Sequence, residues 1–467
     1  AAVRPRTSSI AGSLARLGFD DARRAAAMLA SPTLAPIADD AEVLAAIGDA
    51  PDPDLALLGL DRLLENSSAP DRVLAVLERD SVFRHRLFGV LGMSAGVGDH
   101  LARHPDHWTS LADLPLPAPR REFDAVRADL LLAVGANPSD EAPTATVTDG
   151  VDAMRAAYRR ELMLLAARDL ADSTDVGIVA GELAALAGAA LEAGLAIARA
   201  QGGDVARTAR LAVIGMGKCG GLELNYVSDV DVVFVADGDL DVATSLATGT
   251  MRACAEPSAE PPLWVVDAAL RPEGKNGPLV RTVASHREYY ERWAKTWEFQ
   301  ALLKARPVAG DQALGDEYVE AIRPLVWRAS ERDGFVTDVQ AMRRRVEDHV
   351  PRKEAERNLK LGAGGLRDIE FAVQMLQLVH GRADDSLRSR STLGGLAALI
   401  AGGYVGREDG STLASSYRFL RTLEHRIQLH KLRRTHLLPT AEIDRRRLGR
   451  SLGYVRDPAG LLDTQLR

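Results

Sequence analysis

The chain has 467 residues, more than one ordinary hydrophobic core supports, so domain size alone predicts about three compact units. A formal net charge of −7 and a pI of about 5.9 argue against a protein whose main work is a nonspecific grip on DNA or RNA, and favour a protein partner. Two cysteines, Cys219 and Cys254, cannot build a disulfide framework and lack zinc-site spacing. No signal pattern and no uncharged apolar run of about 18 residues stands out, so the expectation is a soluble, cytoplasmic chain with no membrane and no nucleic-acid partner.

From about residue 8 to 135 apolar positions recur at helical spacing, as in Asp54-Leu-Ala-Leu-Leu-Gly-Leu-Asp-Arg-Leu-Leu64 and Arg72-Val-Leu-Ala-Val-Leu-Glu78. The polar, proline-bearing stretch 135–143 reads as a linker, which gives an N-terminal helical domain over 1–143. Two long helices, about 151–171 and 176–201, come next. Strands at about 211–214, 230–236 and 264–270 then surround helical pieces at about 241–255 and 286–305, a small mixed sheet within a second domain over 144–312. Residues 313–467 read as a C-terminal helical domain. The final Gly-Leu-Leu-Asp-Thr-Gln-Leu-Arg467 has no helix-stop signal, as expected of a chain cut from something longer.

The chemistry concentrates in Ile214-Gly-Met-Gly-Lys-Cys-Gly-Gly-Leu-Glu-Leu-Asn-Tyr-Val-Ser-Asp-Val-Asp-Val-Val-Phe-Val235. A period of two puts Asp229 and Asp231 on one strand face and Val230, Val232 and Phe234 on the other. Like charges held that close favour a hard divalent cation, Mg²⁺ or Mn²⁺. Gly215, Gly217, Gly220 and Gly221 let backbone amides approach a phosphate, and a helix starting near Gly220 would point its N-terminus at the anion. A P-loop fits poorly, because Gly217-Lys218 is followed by Cys219, and a dinucleotide fold fits poorly because two acids rather than one follow the glycines. Nucleotidyl transfer accounts for more of the pattern.

A third acid, Asp267, lies on the strand Trp264-Val-Val-Asp-Ala-Ala-Leu-Arg271 and shares a face with Arg271. Three acids suit two divalent ions in an in-line displacement, with Arg271 meeting the phosphate; the alternative is a surface ion pair between Asp267 and Arg271. Among weaker candidates, Glu370, Gln374 and Gln377 form a polar helical stripe that faces either a cleft or solvent, and Lys360 ranks ahead of Arg367 as an anion ligand. Trp293 and Trp297, four apart on one helix, read as core rather than as a base-stacking pair. The basic run from Arg418 to Arg434 reads as a packing helix with a solvated face.

These runs, with Leu270-Arg-Pro-Glu-Gly-Lys-Asn-Gly-Pro-Leu279, Trp297-Glu-Phe-Gln-Ala-Leu-Leu-Lys-Ala-Arg-Pro-Val-Ala-Gly-Asp311, Lys360-Leu-Gly-Ala-Gly-Gly-Leu-Arg-Asp-Ile-Glu-Phe371 and Arg421-Thr-Leu-Glu-His-Arg-Ile-Gln428, resemble the bifunctional glutamine synthetase adenylyltransferase/adenylyl-removing enzymes over residues 80 to 440. Lys360 to Gly365, Arg306 to Asp311 and Glu223-Leu-Asn225 look like the N-terminal, adenylyl-removing half. The resemblance implies an α+β, mostly helical fold with a small mixed-sheet nucleotidyltransferase domain of the DNA polymerase β-like kind, flanked by helical domains. It also implies phosphorolysis of AMP-tyrosine on adenylylated glutamine synthetase, yielding ADP, in the service of nitrogen assimilation; AMP transfer from ATP is the alternative. Asp229, Asp231 and Asp267 are the implied metal ligands, with Arg271 beside them. Gly217, Lys218, Gly220, Gly221, Ser228, Lys360 and Glu370 are the expected nucleotide-binding positions, and a PII-type signal protein is an implied regulator. The sequence departs from the pattern at Ala268-Ala269, where Leu-Arg is usual, and at Cys219, where Leu is common.

Overall fold

Among the described residues the strands lie in the middle of the chain, where the β-branched runs Leu211-Ala-Val-Ile214 and Val230-Asp-Val-Val-Phe-Val235 satisfy one another's backbone groups. The computed structural model describes residues 7–172, 174–348 and 351–466; Arg467, which ends the terminal segment read above, lies outside them. The described residues are mostly helical, with one mixed five-stranded sheet. Two compact units interleave along the chain: one comprises residues up to Pro119, Arg159–Asp175 and the segment from Leu423, and the other comprises Arg120–Tyr158 and Val176–Thr422. The breaks expected at 143/144 and 312/313 therefore both fall inside the second unit.

The described residues of the first unit form helices and their connecting loops, with no strand. Its helices Pro53–Asn66, Ser81–Met93 and Ala95–Arg103 begin at Asp52, Asp80 and Ser94, whose side chains accept hydrogen bonds from first-turn amides that would otherwise lack partners. Within this unit the Ser94 hydroxyl also donates to the Leu429 carbonyl at 2.6 Å, and Arg426 and Asp169 form a buried ion pair.

In the second unit the sheet runs β3-β2-β1-β5, with β4 also on β2. The strands are β1 (Arg210–Gly215), β2 (Val230–Asp237), β3 (Val266–Asp267), β4 (Val280–Arg281) and β5 (Arg306–Gly310). β1 is antiparallel to β2 and β5, whereas β2 is parallel to β3 and β4. β5 escapes a sequence reading because it contains Pro307; it sits at the sheet edge, where a proline is tolerated, and its register on β1 shifts between Val213 and Ile214. The strand expected over 264–270 pairs only at Val266 and Asp267.

The helix Val176–Thr208, although Glu182 and Glu192 interrupt any uncharged apolar run in it, is the most apolar long helix among the described residues. By length and composition it could cross a membrane, yet 83% of its most apolar window is buried within the fold, which accounts for an alanine- and leucine-rich helix without lipid. Its φ/ψ are non-helical at Gly203. The single helix expected over 286–305 is two, Val283–Arg292 and Thr296–Leu302, so Trp293 and Trp297 do not share a helix. Trp293 is 72% exposed, which corrects its placement in the core.

The turn after β1 depends on glycine for close packing. A Cβ on Gly220 would lie 2.0 Å from the Lys304 carbonyl oxygen and 2.3 Å from that of Gly215. Gly220→Ala should therefore destabilise the second unit by roughly 3 kcal/mol or more through forced backbone displacement. Gly12→Ala, on an exposed helical position with nothing within 4 Å, should be neutral or stabilising by up to about 1 kcal/mol. Paired thermal-unfolding measurements check this, and equal melting shifts in the two variants would refute it.

Candidate active site

β1 ends at Gly215, and the chain makes a single helical turn, Gly217–Gly220, before running irregularly to β2. No helix starts at Gly220: the turn ends there, so the expected helix N-terminus aimed at an anion is absent. Gly217 has φ +50°, and a Cβ placed on it would lie 2.5 Å from Oδ2 of Asp231. The Asp231 carboxylate thus rests against the glycine turn, an approach that only a residue without a side chain permits. The Met216 amide donates to the Asp231 carbonyl at 2.8 Å and fixes the turn to β2.

Asp231 and Asp267 are register partners on the parallel strands β2 and β3, which sets their side chains on one sheet face about 4.8 Å apart along the hydrogen-bonding direction. Oδ1 of Asp267 accepts from the Ala269 amide at 2.8 Å, which orients that carboxylate. Asp229 and Ser228 are half-buried in the segment that enters β2. Among the described residues no group of three or more His, Cys, Asp or Glu side chains is arranged to hold a metal ion. The donor set of Asp231 and Asp267 nonetheless fits a hard divalent cation, being two carboxylates held in register by backbone pairing.

Arg271 is placed differently from expectation. β3 stops at Asp267, so no strand face carries Asp267 on to Arg271. The guanidinium donates to the carbonyls of Ala268 (2.8 Å), Gly277 (3.1 Å), Pro278 (3.1 Å) and Lys275 (3.2 Å), engaging all three of its nitrogens in fastening the loop behind Asp267. Arg306 acts similarly on the glycine turn, donating to the carbonyls of Gly220 (3.3 Å) and Cys219 (3.1 Å). The Cys219 thiol beneath is fully buried, and burial pushes its pKa up to about 11.

Behind the turn lies a buried polar network. Lys304 Nζ and Glu223 form an ion pair with both side chains less than a tenth exposed. Glu223 also accepts from the amide of Thr392 and, at 3.2 Å, from its hydroxyl. Arg421 donates to Asn225 Oδ1 and to the carbonyls of Glu223 and Leu224; Lys218 Nζ donates to the same Asn225 oxygen at 3.3 Å. Gly221 packs against this cluster, with Lys304 Cδ 2.9 Å from where its Cβ would stand. Glu370 is buried, and its carboxylate accepts from the Tyr417 hydroxyl at 3.4 Å. Burial alone would raise the Glu370 pKa, but Lys304, Lys218, Lys360 and Arg421 together hold it below the ordinary range.

The stripe Glu370, Gln374 and Gln377 is therefore turned inward. Gln374 accepts from Gln300 at 2.7 Å, and Gln377 donates to the carbonyls of Leu387 and Ser389. Lys218, Lys360 and Glu370 meet electrostatically, whereas Arg367 stacks on Phe371, 5.4 Å from the ring centroid. Sequence reading missed the roles of Lys304, Thr392 and Tyr417, whose partners lie far away along the chain. The one available signal was an acid, Glu223, set between two leucines.

Lys304→Met should cost about 3 kcal/mol, because Glu223 is left charged and buried, and adding Glu223→Gln should restore a large part. A thermal-unfolding double-mutant cycle showing additive losses would exclude the coupling. The Glu370 carboxylate, held below its unfolded pKa of about 4.3, contributes stability that is fully present above that pH and is lost as pH falls through the folded value. Glu370→Gln should accordingly lower stability at pH 7 and flatten its decline below about pH 4.3, as read from melting temperature against pH.

Comparison with known proteins places this arrangement. A family model described as glutamate-ammonia ligase adenylyltransferase matches residues 84–321, and one described as GlnD PII-uridylyltransferase matches 340–465. The chain is 55% identical over 97% of its length to a protein of Streptomyces avermitilis named bifunctional glutamine synthetase adenylyltransferase/adenylyl-removing enzyme, and covers 45% of that protein. It is 54% identical over 98% of its length to the Streptomyces coelicolor protein of that name, covering 46% of it, and 49% identical over 91% to that of Mycobacterium bovis, covering 43%. The chain thus spans less than half the length of these relatives. By the matched family model and the site it encloses, the chain belongs to the glutamate-ammonia ligase adenylyltransferase family.

Proposed function

We propose that this chain removes AMP from adenylylated glutamine synthetase by phosphorolysis. Inorganic phosphate attacks the phosphorus of the AMP-tyrosine diester; a new P–O bond forms as the bond to the tyrosine oxygen breaks, that oxygen takes up a proton, and ADP leaves. A phenolic oxygen with a pKa of about 10 is a fair leaving group and needs little acid assistance. The observation that carries the reading is the register pairing of Asp231 with Asp267 against Gly217, with Lys218 next in the chain.

Asp231 and Asp267, with Asp229 beside them, would hold Mg²⁺ or Mn²⁺, which supplies charge neutralisation at the transferred phosphoryl group. Lys218 orients an anionic oxygen at the turn, while the Asn225 side-chain oxygen and the buried Glu370 carboxylate hold its ammonium. Arg271 serves by holding the loop that carries Asp267. We read the sheet as a DNA polymerase β-like nucleotidyltransferase core on the same grounds: a glycine turn, an Asp-x-Asp strand entry and a third acid on the adjacent strand.

The direction rests on the resemblance of Lys360 to Gly365 and Arg306 to Asp311 to the removing half. Transfer of AMP from ATP is the second reading, favoured by relatives whose names join both activities. The match of residues 340–465 to a PII-uridylyltransferase model supports a PII-type signal protein as regulator, and a cytoplasmic setting is part of the same proposal.

Incubated with adenylylated glutamine synthetase, Mg²⁺ and phosphate, the chain should release ADP with saturable dependence on phosphate. Free AMP formed at full rate without phosphate would refute phosphorolysis, and net AMP transfer from ATP to unmodified glutamine synthetase would reverse the direction. Asp231→Asn should lower the rate by roughly three orders of magnitude or more in a folded protein. Near-normal turnover would remove Asp231 from the site.

A further inference from the structure

The first compact unit contains a cationic hollow lined by none of the residues named in the chemistry above. The helix Arg407–Lys431 ends there, and Leu432, at φ +46°, turns the chain so that the Arg433 amide reaches the Gln428 carbonyl at 3.4 Å. This reversal brings Lys431, Arg433 and Arg434 to one rim of a cavity of about 370 Å³, whose wall also includes Arg426 and Arg447. Its floor is apolar, formed by Met93, Ile427 and Leu448.

The two inner guanidiniums are fixed. Arg426 is held by Asp169, with Nη2 2.9 Å from Oδ1. Arg447 reaches Asp52 at 3.3 Å, Asp444, and Nδ1 of His430 at 3.1 Å. Burial, followed by Arg447 and Lys431, lowers the His430 pKa to about 4, so this imidazole adds no charge at neutral pH. The wall thus carries five basic side chains and one carboxylate, Asp444, and the exposed Lys431 and Arg433 add positive charge at its mouth. Attraction to helix C-termini accounts for Lys431 and Arg447, each in the last turn of its own helix, but Arg433 and Arg434 lie outside both helices.

Guanidinium forks over an apolar floor suit a molecule with planar anionic groups and a short carbon or ester body, and the volume lies in the range of small-ligand pockets. We propose that this hollow binds a compact organic anion bearing two or more phosphate or carboxylate charges. The concave shape favours such a molecule over an acidic protein surface.

The test is titration calorimetry of the full chain with pyrophosphate and, separately, with citrate, in a Lys218→Ala background that strips the cation from the glycine turn. One saturable event per chain is expected, weakened about tenfold or more by Lys431→Ala with Arg433→Ala, both exposed positions that circular dichroism should show folded. Arg433→Glu alone gives an independent reading should the double variant misfold. Tighter pyrophosphate binding identifies a phosphate-bearing ligand, and tighter citrate binding a polycarboxylate. Absence of saturable binding by either probe at millimolar concentration overturns the proposal, as does an affinity unchanged by the rim substitutions. Loss of deadenylylating activity in Asp231→Asn bears on neither result.

Discussion

The contact on which the candidate site depends is the approach of the glycine turn to the backbone at Lys304. Gly220 fits between the Lys304 and Gly215 carbonyls with no room for a β-carbon, and the Lys304 side chain continues inward to a buried ion pair with Glu223. One residue thereby spaces the turn through its backbone and neutralises the acid beneath it through its side chain. The position of Gly217, and so of the Asp231 carboxylate lying on it, follows from that spacing.

Buried charges are costly unless they are matched, and this network matches them closely. Glu223 meets Lys304 and Thr392; Glu370 meets Tyr417 and the field of four cations; Asn225 accepts from both Arg421 and Lys218. The exposed i,i+4 pairs such as Arg287–Glu291 contribute little by comparison. The buried set restrains Lys218, which follows Gly217 in the turn that packs against Asp231.

The two matched family models meet in this network. Glu223, Asn225 and Lys304 fall within 84–321, whereas Glu370, Thr392, Tyr417 and Arg421 fall within 340–465, and all belong to the second compact unit. Hydrogen bonds from Thr392 to Glu223 and from Arg421 to Asn225 join the two stretches. The segment resembling a uridylyltransferase therefore supplies structural partners to the turn beside the paired acids, as well as any regulatory contact it makes.

The acids and glycines were legible in the sequence because their signals are local: Asp229-x-Asp231 at strand spacing, Gly217 and Gly220 at a turn, helical periodicity on both sides. Local signals ended where pairing begins. That β3 stops at Asp267, that Arg271 turns back onto its own loop, and that β5 completes the sheet despite Pro307 depend on hydrogen-bond partners supplied from elsewhere in the chain. The polar stripe at Glu370 illustrates the difference most clearly. Helical spacing aligned Glu370, Gln374 and Gln377 on one face, but only tertiary structure turned that face inward, because the cations and amide partners that make its burial tolerable come from Lys218, Gln300, Lys304 and Arg421. The sequence by itself determined which groups have the chemistry; long-range packing decided which of them are free to use it, because a donor or acceptor already bound to backbone or to a buried counter-charge is no longer available to a ligand.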